Sequence, residues 1–395
     1  MPPTLGEQLA TYRHRRGLSQ RALAEAAGVS VDLVRKLEQG QRRAARLDSV
    51  AGLAHALDIS PAELLGKPRG LGSRAGEAEV GAIRRSILGL TVTGTELPEE
   101  ESLRIAVVEL WRLYWSGRYA DLAREIPARV EQARAFTSAD GDRRAAYALL
   151  AELLQMTASL LAHLAHEDLA HLALAEADGA AAAADDHLLA AGMQATRSWV
   201  LSRQGLWSEA ELVALAAADR IEPTMSRASV DQVAVWGELL RYGTTAVARS
   251  GRQAEAQELL SLVNAAAARM GGDQPTRYVG TAFGPTVAAM KAVDVAIAAD
   301  RPRQALKLAE RVESPGVAPT AMHARYLLNV AWAQMTDWRS QDAVDTLRKV
   351  EHLAPEMLPH QSITRAIVAE LLPRRSKQRL PGLVSLADRI GMAAK

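Results

Sequence analysis

From about residue 79 onward, the 395-residue chain reads as one helical pattern after another, broken only by short turns carrying glycine, aspartate or proline. Turn centres fall near positions 117, 167, 205, 251, 300 and 336, at intervals of 36 to 50 residues. Gly205-Leu-Trp207 and Gly251-Arg-Gln253 are the clearest, while Gly117-Arg-Tyr119, Asp300-Arg-Pro302 and Asp337-Trp338 are weaker copies. A hairpin of two helices cannot bury its own apolar faces, so successive hairpins must stack on one another. Alanine and leucine dominate, aromatics are only 4%, and no convincing strand alternation occurs anywhere. That balance favours helix and argues against a β-sandwich or barrel. The expectation is an all-α protein, with 48% hydrophobic residues to build its cores.

The first 66 residues are organised differently, as five short helices. Leu5–Arg16 carries Leu5, Leu9 and Tyr12 on one face and stops at Gly17. Ser19 is placed to cap Gln20–Ala27, which Leu23 anchors, and Gly28 sits where a tight turn needs positive φ. Ser30 caps Val31–Gln39, whose inner face is read as Val31, Val34 and Leu37 and which stops at Gly40. A fourth helix runs from about Asp48 to Leu57 with Val50, Leu53 and Leu57 inward. Ser60, Pro61 and Glu63 then form a helix start with a capping-box pattern. Residues 1–70 carry 11 Lys and Arg against 7 Asp and Glu, so a basic head is joined to a slightly acidic body. Such a division suits a head that meets a polyanion.

Helix, glycine turn, helix is the helix-turn-helix arrangement. Here L-S-Q-x-x-L-A at Leu18–Ala24, G-V-S at Gly28–Ser30, L-E-x-G at Leu37–Gly40 and the run from Val50 to Leu65 resemble the DNA-binding domain of the phage-repressor or XRE family, over about 60 residues. The resemblance implies that Val31, Asp32 and Lys36, with Arg35 beside them, face base edges in the major groove of double-stranded DNA. It also implies that Gln20 touches a phosphate and braces the recognition helix. Ser30 opens that helix, and Arg42, Arg43 and Arg46 lie in the loop that meets the backbone. A carboxylate at Asp32 near phosphates is unfavourable unless it accepts from a cytosine amino group.

Three zones follow: a head at 1–66, a linker at 67–78, and a helical body at 79–395 closed by an amphipathic capping segment, Leu383–Ile390. The body resembles a degenerate tetratricopeptide array, giving an N-terminal helix-turn-helix domain plus a C-terminal tetratricopeptide-like α-solenoid. That combination is similar to the peptide-pheromone regulators of Gram-positive bacteria and to actinobacterial XRE regulators, and the Ala/Arg-rich composition fits the latter better. It implies a homodimer on a palindromic operator and a concave groove for a small-molecule or peptide effector. The first helix of each hairpin faces that groove in the family. On this chain those helices offer Trp199, Arg203, Arg241, Thr245, Arg249, Asp294, Tyr326 and Asn329. Inward arginines would suit a carboxylate.

Other chemistry finds little footing. The chain has no cysteine, so disulfides, thiolate metal sites and cysteine nucleophiles are excluded. His163-Leu-Ala-His166-Glu167-Asp168-Leu-Ala-His171 nearly spells a zincin motif, but its second histidine is five residues on, roughly 140° round a helix. The stretch reads as a polar turn, without metal or cofactor. No P-loop or nucleophile elbow occurs, so no enzymatic activity is expected. The start has no apolar signal region, and Ala145–Leu164 is interrupted by Glu152, Gln155 and His163. It reads as a buried helix of a cytoplasmic protein that meets no membrane. The alternative to a ligand-responsive regulator is an interaction module, in which the array binds a protein partner and the head tethers it to DNA.

Overall fold

A computed structural model describes residues 4–42, 45, 47–57, 59, 61–65, 74–90, 99–139, 141–276, 278, 280–312, 319–376 and 378–392. The head folds as expected into α1 (Leu5–Arg15), α2 (Gln20–Ala26), α3 (Val31–Glu38), α4 (Leu47–Ala56) and α5 (Pro61–Leu64). Ser19 Oγ accepts from Ala22 N–H and Ser30 Oγ from Leu33 N–H, so both anticipated caps form. Leu9, Leu23, Val34, Leu37, Val50, Leu53, Leu57 and Leu64 make one core. Val31 is not part of that core. It is 44% exposed, because its position at the start of α3 points past the scaffold.

The body begins earlier than its sequence suggests: α6 (Arg74–Ile87) starts inside the segment read as linker. Residues 67–73 of that segment, with Ser60, lie outside the described residues. Then come helical hairpins, α7 (Glu100–Trp115) with α8 (Tyr119–Phe136), α9 (Arg143–His163) with α10 (Glu167–Ala184), and α11 (His187–Gln204) with α12 (Trp207–Arg220). They continue as α13 (Val230–Arg249) with α14 (Gln253–Met270), α15 (Pro285–Ala298) with α16 (Pro302–Ala309), and α17 (Thr320–Thr336) with α18 (Ser340–Leu353). Helices α19 (Ser362–Leu371) and α20 (Leu383–Arg389) close the stack. Each hairpin turn contains a left-handed residue: Gly117, Ala165, Gly205, Gly251, Asp300 and Trp338. Alanine explains the tight pairing. Ala170, Ala173, Ala177, Ala181 and Ala184 bury one stripe of α10, and their small side chains let it lie close along α9.

Helix α9 is the only described helix long and apolar enough to cross a membrane, and 83% of its apolar window is buried inside the fold. His163 at its end is not on a polar turn. It is fully buried, stacked on Tyr119 at 4.8 Å, with its ring nitrogens 3.3 Å from Tyr114 Oη and 3.4 Å from Gln361 Nε2.

The sequence also concealed a β-hairpin, β1 (Gln274–Thr276) and β2 (Thr281–Phe283), paired antiparallel with Gln274 opposite Phe283. Strands of three residues are too short to show alternation. This tongue touches the first helix of four successive hairpins. Trp115 Nε1 on α7 donates to the Gly280 carbonyl, and Gln155 Nε2 on α9 donates to that of Tyr278. Phe283 is buried on α13 at Gly237. On α11, a Cβ at Gly192 would come within 2.1 Å of the Tyr278 oxygen, so only glycine allows this approach.

Candidate nucleic-acid interface and effector cavity

Helix α3 is held at both ends. Its N-terminus is capped by Ser30, and Glu38 in its last turn is held by a charge cluster. Arg13 Nε and Nη2 hold the Glu38 carboxylate bidentately at 2.6 and 2.8 Å, while Arg13 Nη1 donates to the Leu18 carbonyl at 2.8 Å. Gln20 Nε2 adds a bond to Glu38 at 2.8 Å, so Gln20 does brace the recognition helix. Burial alone would raise the Glu38 carboxyl, but Arg13 and Gln20 overcome it and hold the group below its ordinary value. Sequence reasoning missed Arg13 and Glu38. Their signal was periodicity: Arg13 follows Leu9 by four, and Glu38 follows Val34 by four, so each charge extends a buried stripe.

The opposite face of α3 is open. Val31, Asp32, Arg35 and Lys36 are all exposed, while Val34 and Leu37 are buried beneath them. Asp32 accepts from Arg35 at 2.5 Å and from Lys36 at 2.7 Å, and the Lys36 bond is the main reason its carboxyl is held down. The carboxylate that looked unfavourable beside phosphate thus fixes the two cations on the exposed face of α3. Arg42 is exposed, and its N–H donates to the Lys36 carbonyl at 2.9 Å, which ties it to the end of α3. Arg43 and Arg46 lie outside the described residues.

All eight residues anticipated for an effector groove, Trp199, Arg203, Arg241, Thr245, Arg249, Asp294, Tyr326 and Asn329, line one cavity of about 270 Å³. The head forms part of its wall through Val50, Ala51, Pro61 and Leu65. That contact is anchored by α5 against α11 and by Arg365 Nε, which donates to the Leu65 carbonyl at 3.3 Å. Sequence alone gave no sign of it.

The charges in the cavity differ from a simple ring of inward cations. Arg241 is bound to the fully buried Glu238 through Nε at 2.8 Å and Nη2 at 2.5 Å. Burial would lower its pKa, but Glu238 outweighs burial and raises it. Arg249 reaches Asp294 at 3.0 Å, and Lys291 reaches Asp294 at 2.7 Å and Thr245 Oγ1 at 2.5 Å. Burial disfavours the Asp294 charge, yet Lys291 and Arg249 hold the carboxyl far below the usual range. Arg241 and Arg249 are therefore committed to internal carboxylates, contrary to their reading as seats for a ligand anion.

Arg203 and Arg325 are placed differently. Both guanidiniums lie over the Trp199 ring, 5.3 and 5.4 Å from its centre, and Arg325 also lies over Trp115 at 5.5 Å. Arg203 donates to the carbonyls of Ala162 and His360. Burial and then the charge of Arg325 lower its pKa. Nε and Nη2 of Arg325 are buried without a hydrogen-bond partner.

Residues 4–65 match a family model described as a helix-turn-helix domain, which spans α1 to α5. No curated protein matches the chain. The head is thus a helix-turn-helix domain with an XRE-like arrangement, and the protein is a DNA-binding regulator built on stacked helical hairpins.

Proposed function

We propose that the chain is a sequence-specific transcriptional regulator, a cytoplasmic homodimer without enzymatic activity, whose affinity for a palindromic operator is set by a small molecule or peptide in the helical-repeat cavity. Its array is read as tetratricopeptide-like. The observation that carries this reading is the shared wall: Ala51 and Pro61 belong to the DNA-binding head and also border the cavity. Ligand contacts that differ between two head positions shift the balance between those positions, and only by that difference. A coupling of about 1–3 kcal/mol is typical of such systems.

One recognition helix makes too few contacts for a rare genomic site, so two heads on half-sites one helical turn apart, about 34–36 Å, or a multiple of it are needed. The test is footprinting by the purified full-length chain on sequences recovered by genomic footprinting. Protection of a palindrome, altered by a cell-derived small-molecule or peptide fraction, supports the reading, with a dimer by light scattering at micromolar concentration. Protection only after a protein partner is added favours the interaction-module reading. Helix α7 favours that alternative, because Ile105 and Val108 share a face and are 58% and 67% exposed.

A further inference from the structure

The Arg203–Arg325 pair is expensive as it stands. Two like charges share one half-buried region, and buried donors without acceptors lose the hydrogen bonds that water would give them. The unpaired atoms of Arg325 are Nε and Nη2, the two that form the side edge of a guanidinium. Those same two atoms of Arg13 grip Glu38 in the head. The same edges of Arg13, Arg241 and Arg389 are filled by carboxylates, whereas that of Arg325 lacks one. Ser202, also bordering the cavity, carries a further buried polar atom without a partner, its Oγ. Beyond the arginines, the walls are mostly aromatic and aliphatic, with Trp115, Trp207, Tyr242, Met290 and Ile363 among them. A volume of about 270 Å³ sits at the small end of ligand sites and suits a small molecule.

We propose that this cavity takes a small monocarboxylic acid with an aromatic or otherwise apolar body, its carboxylate bound by the Nε–Nη2 edge of Arg325 with Arg203 alongside. The inference rests on the sensing role proposed above and specifies its ligand. Arg241, Arg249 and Lys291 do not serve as the anion seat, because internal carboxylates already occupy them. In the structure the Arg325 guanidinium packs against Trp115 and Trp199, so the acid must displace that packing to reach it. Tryptophan fluorescence is the direct readout.

Full-length protein is titrated with phenylacetate, indole-3-acetate and octanoate, and with the corresponding neutral amides. At least one acid should quench or shift the emission and bind tenfold or more tightly than its amide. Arg325→Gln should remove that preference while leaving amide binding unchanged, and Arg203→Gln should reduce it. Arg325→Gln should also melt at the same or a higher temperature than the parent without ligand, since the unpaired donors and the repulsion are gone. That result separates a ligand seat from a structural role. Equal affinity for acid and amide, no binding of any acid at millimolar concentration, or an undiminished preference in Arg325→Gln overturns the inference. Operator affinity is measured in parallel. Acid binding that leaves DNA affinity unchanged retains the ligand assignment and rejects the sensing role, whereas a DNA response to another effector that persists in Arg325→Gln rejects the ligand assignment alone.

Discussion

A charge on an exposed helix face acts through its neighbours as much as through any partner. Asp32 holds Arg35 and Lys36 within 2.7 Å, so the exposed face of α3 carries less net positive charge than its arginine and lysine suggest. Asp32→Asn should strengthen binding to random DNA and steepen the slope of log affinity against log salt by about one unit. Lys36→Ala should act differently, weakening specific binding by about 1–3 kcal/mol and relaxing one base position. Fluorescence anisotropy on specific and random duplexes at several salt concentrations separates the two, and equal losses on both duplexes would reject the base-contact assignment. Buried histidines give a second effect at this scale. Burial, with Arg203 adding to it, holds His360 down at about 4, and burial keeps His163 well below its ordinary value of 6.5. Both are neutral in the fold, while the unfolded chain takes up their protons below about pH 6.5. Stability is therefore fully present above that pH and falls toward pH 4, by up to ~1.4 kcal/mol per pH unit for each group. The melting temperature should decline across this window, and His360→Gln should flatten the decline. An unchanged slope would show that other groups govern it.

At the scale of elements, the turns were the most legible part of the sequence, and the reason is backbone chirality. Left-handed φ is cheap for glycine and accessible to aspartate, which marked the turns at Gly117, Gly205, Gly251 and Asp300. Ala165 and Trp338 take the same conformation at φ 59° and 64°, but neither residue type announces it. The two kinds of turn predict opposite responses. Nothing lies within 4 Å of a Cβ built at Gly251, so Gly251→Ala should cost about 1 kcal/mol from backbone strain alone. Ala165→Gly should cost nothing or stabilise slightly, since it removes the same strain. Urea midpoints of the two variants check this, and a loss at Ala165→Gly comparable with that at Gly251→Ala would contradict it. The tongue of β1 and β2 was illegible for another reason. Its effect depends on glycines at 192, 237 and 280, which look unremarkable inside their local patterns and matter only because distant backbone or rings approach them. Periodicity reports what a helix faces locally, so it brought the eight cavity residues onto inner faces. It could not report that Glu238 would pair with Arg241, or that Nε and Nη2 of Arg325 would be left without an acceptor.

For the whole molecule, the decisive relation is between head and array, which charge and composition had separated into two independent zones. In the structure α4 lies against the α11–α12 turn, where a Cβ built at Gly205 would fall 3.2 Å from Ala51 Cβ. The exposed face of α3 is left open by this docking, so one head can still meet a half-site. What docking fixes is the position of that head relative to the array and, in a dimer, to its twin. DNA allows little latitude, because recognition helices must be about 34–36 Å apart or a multiple of it. The absence of cysteine makes the relation testable with a single engineered disulfide. Ala51→Cys combined with Gly205→Cys places the two Cβ atoms a few tenths of an ångström closer than the ordinary disulfide range of about 3.5–4.5 Å, a gap that a small shift closes. A cysteine at φ 81° adds roughly 1–2 kcal/mol of strain, which a stack of this size tolerates. If the heads must shift to read a palindrome, the oxidised protein should lose at least tenfold in affinity for it while binding an isolated half-site as before. Reduction should restore the difference. Undiminished palindrome binding by the oxidised form would mean that the docked head is already in its DNA-reading position, and the effector would then have to act by undocking it.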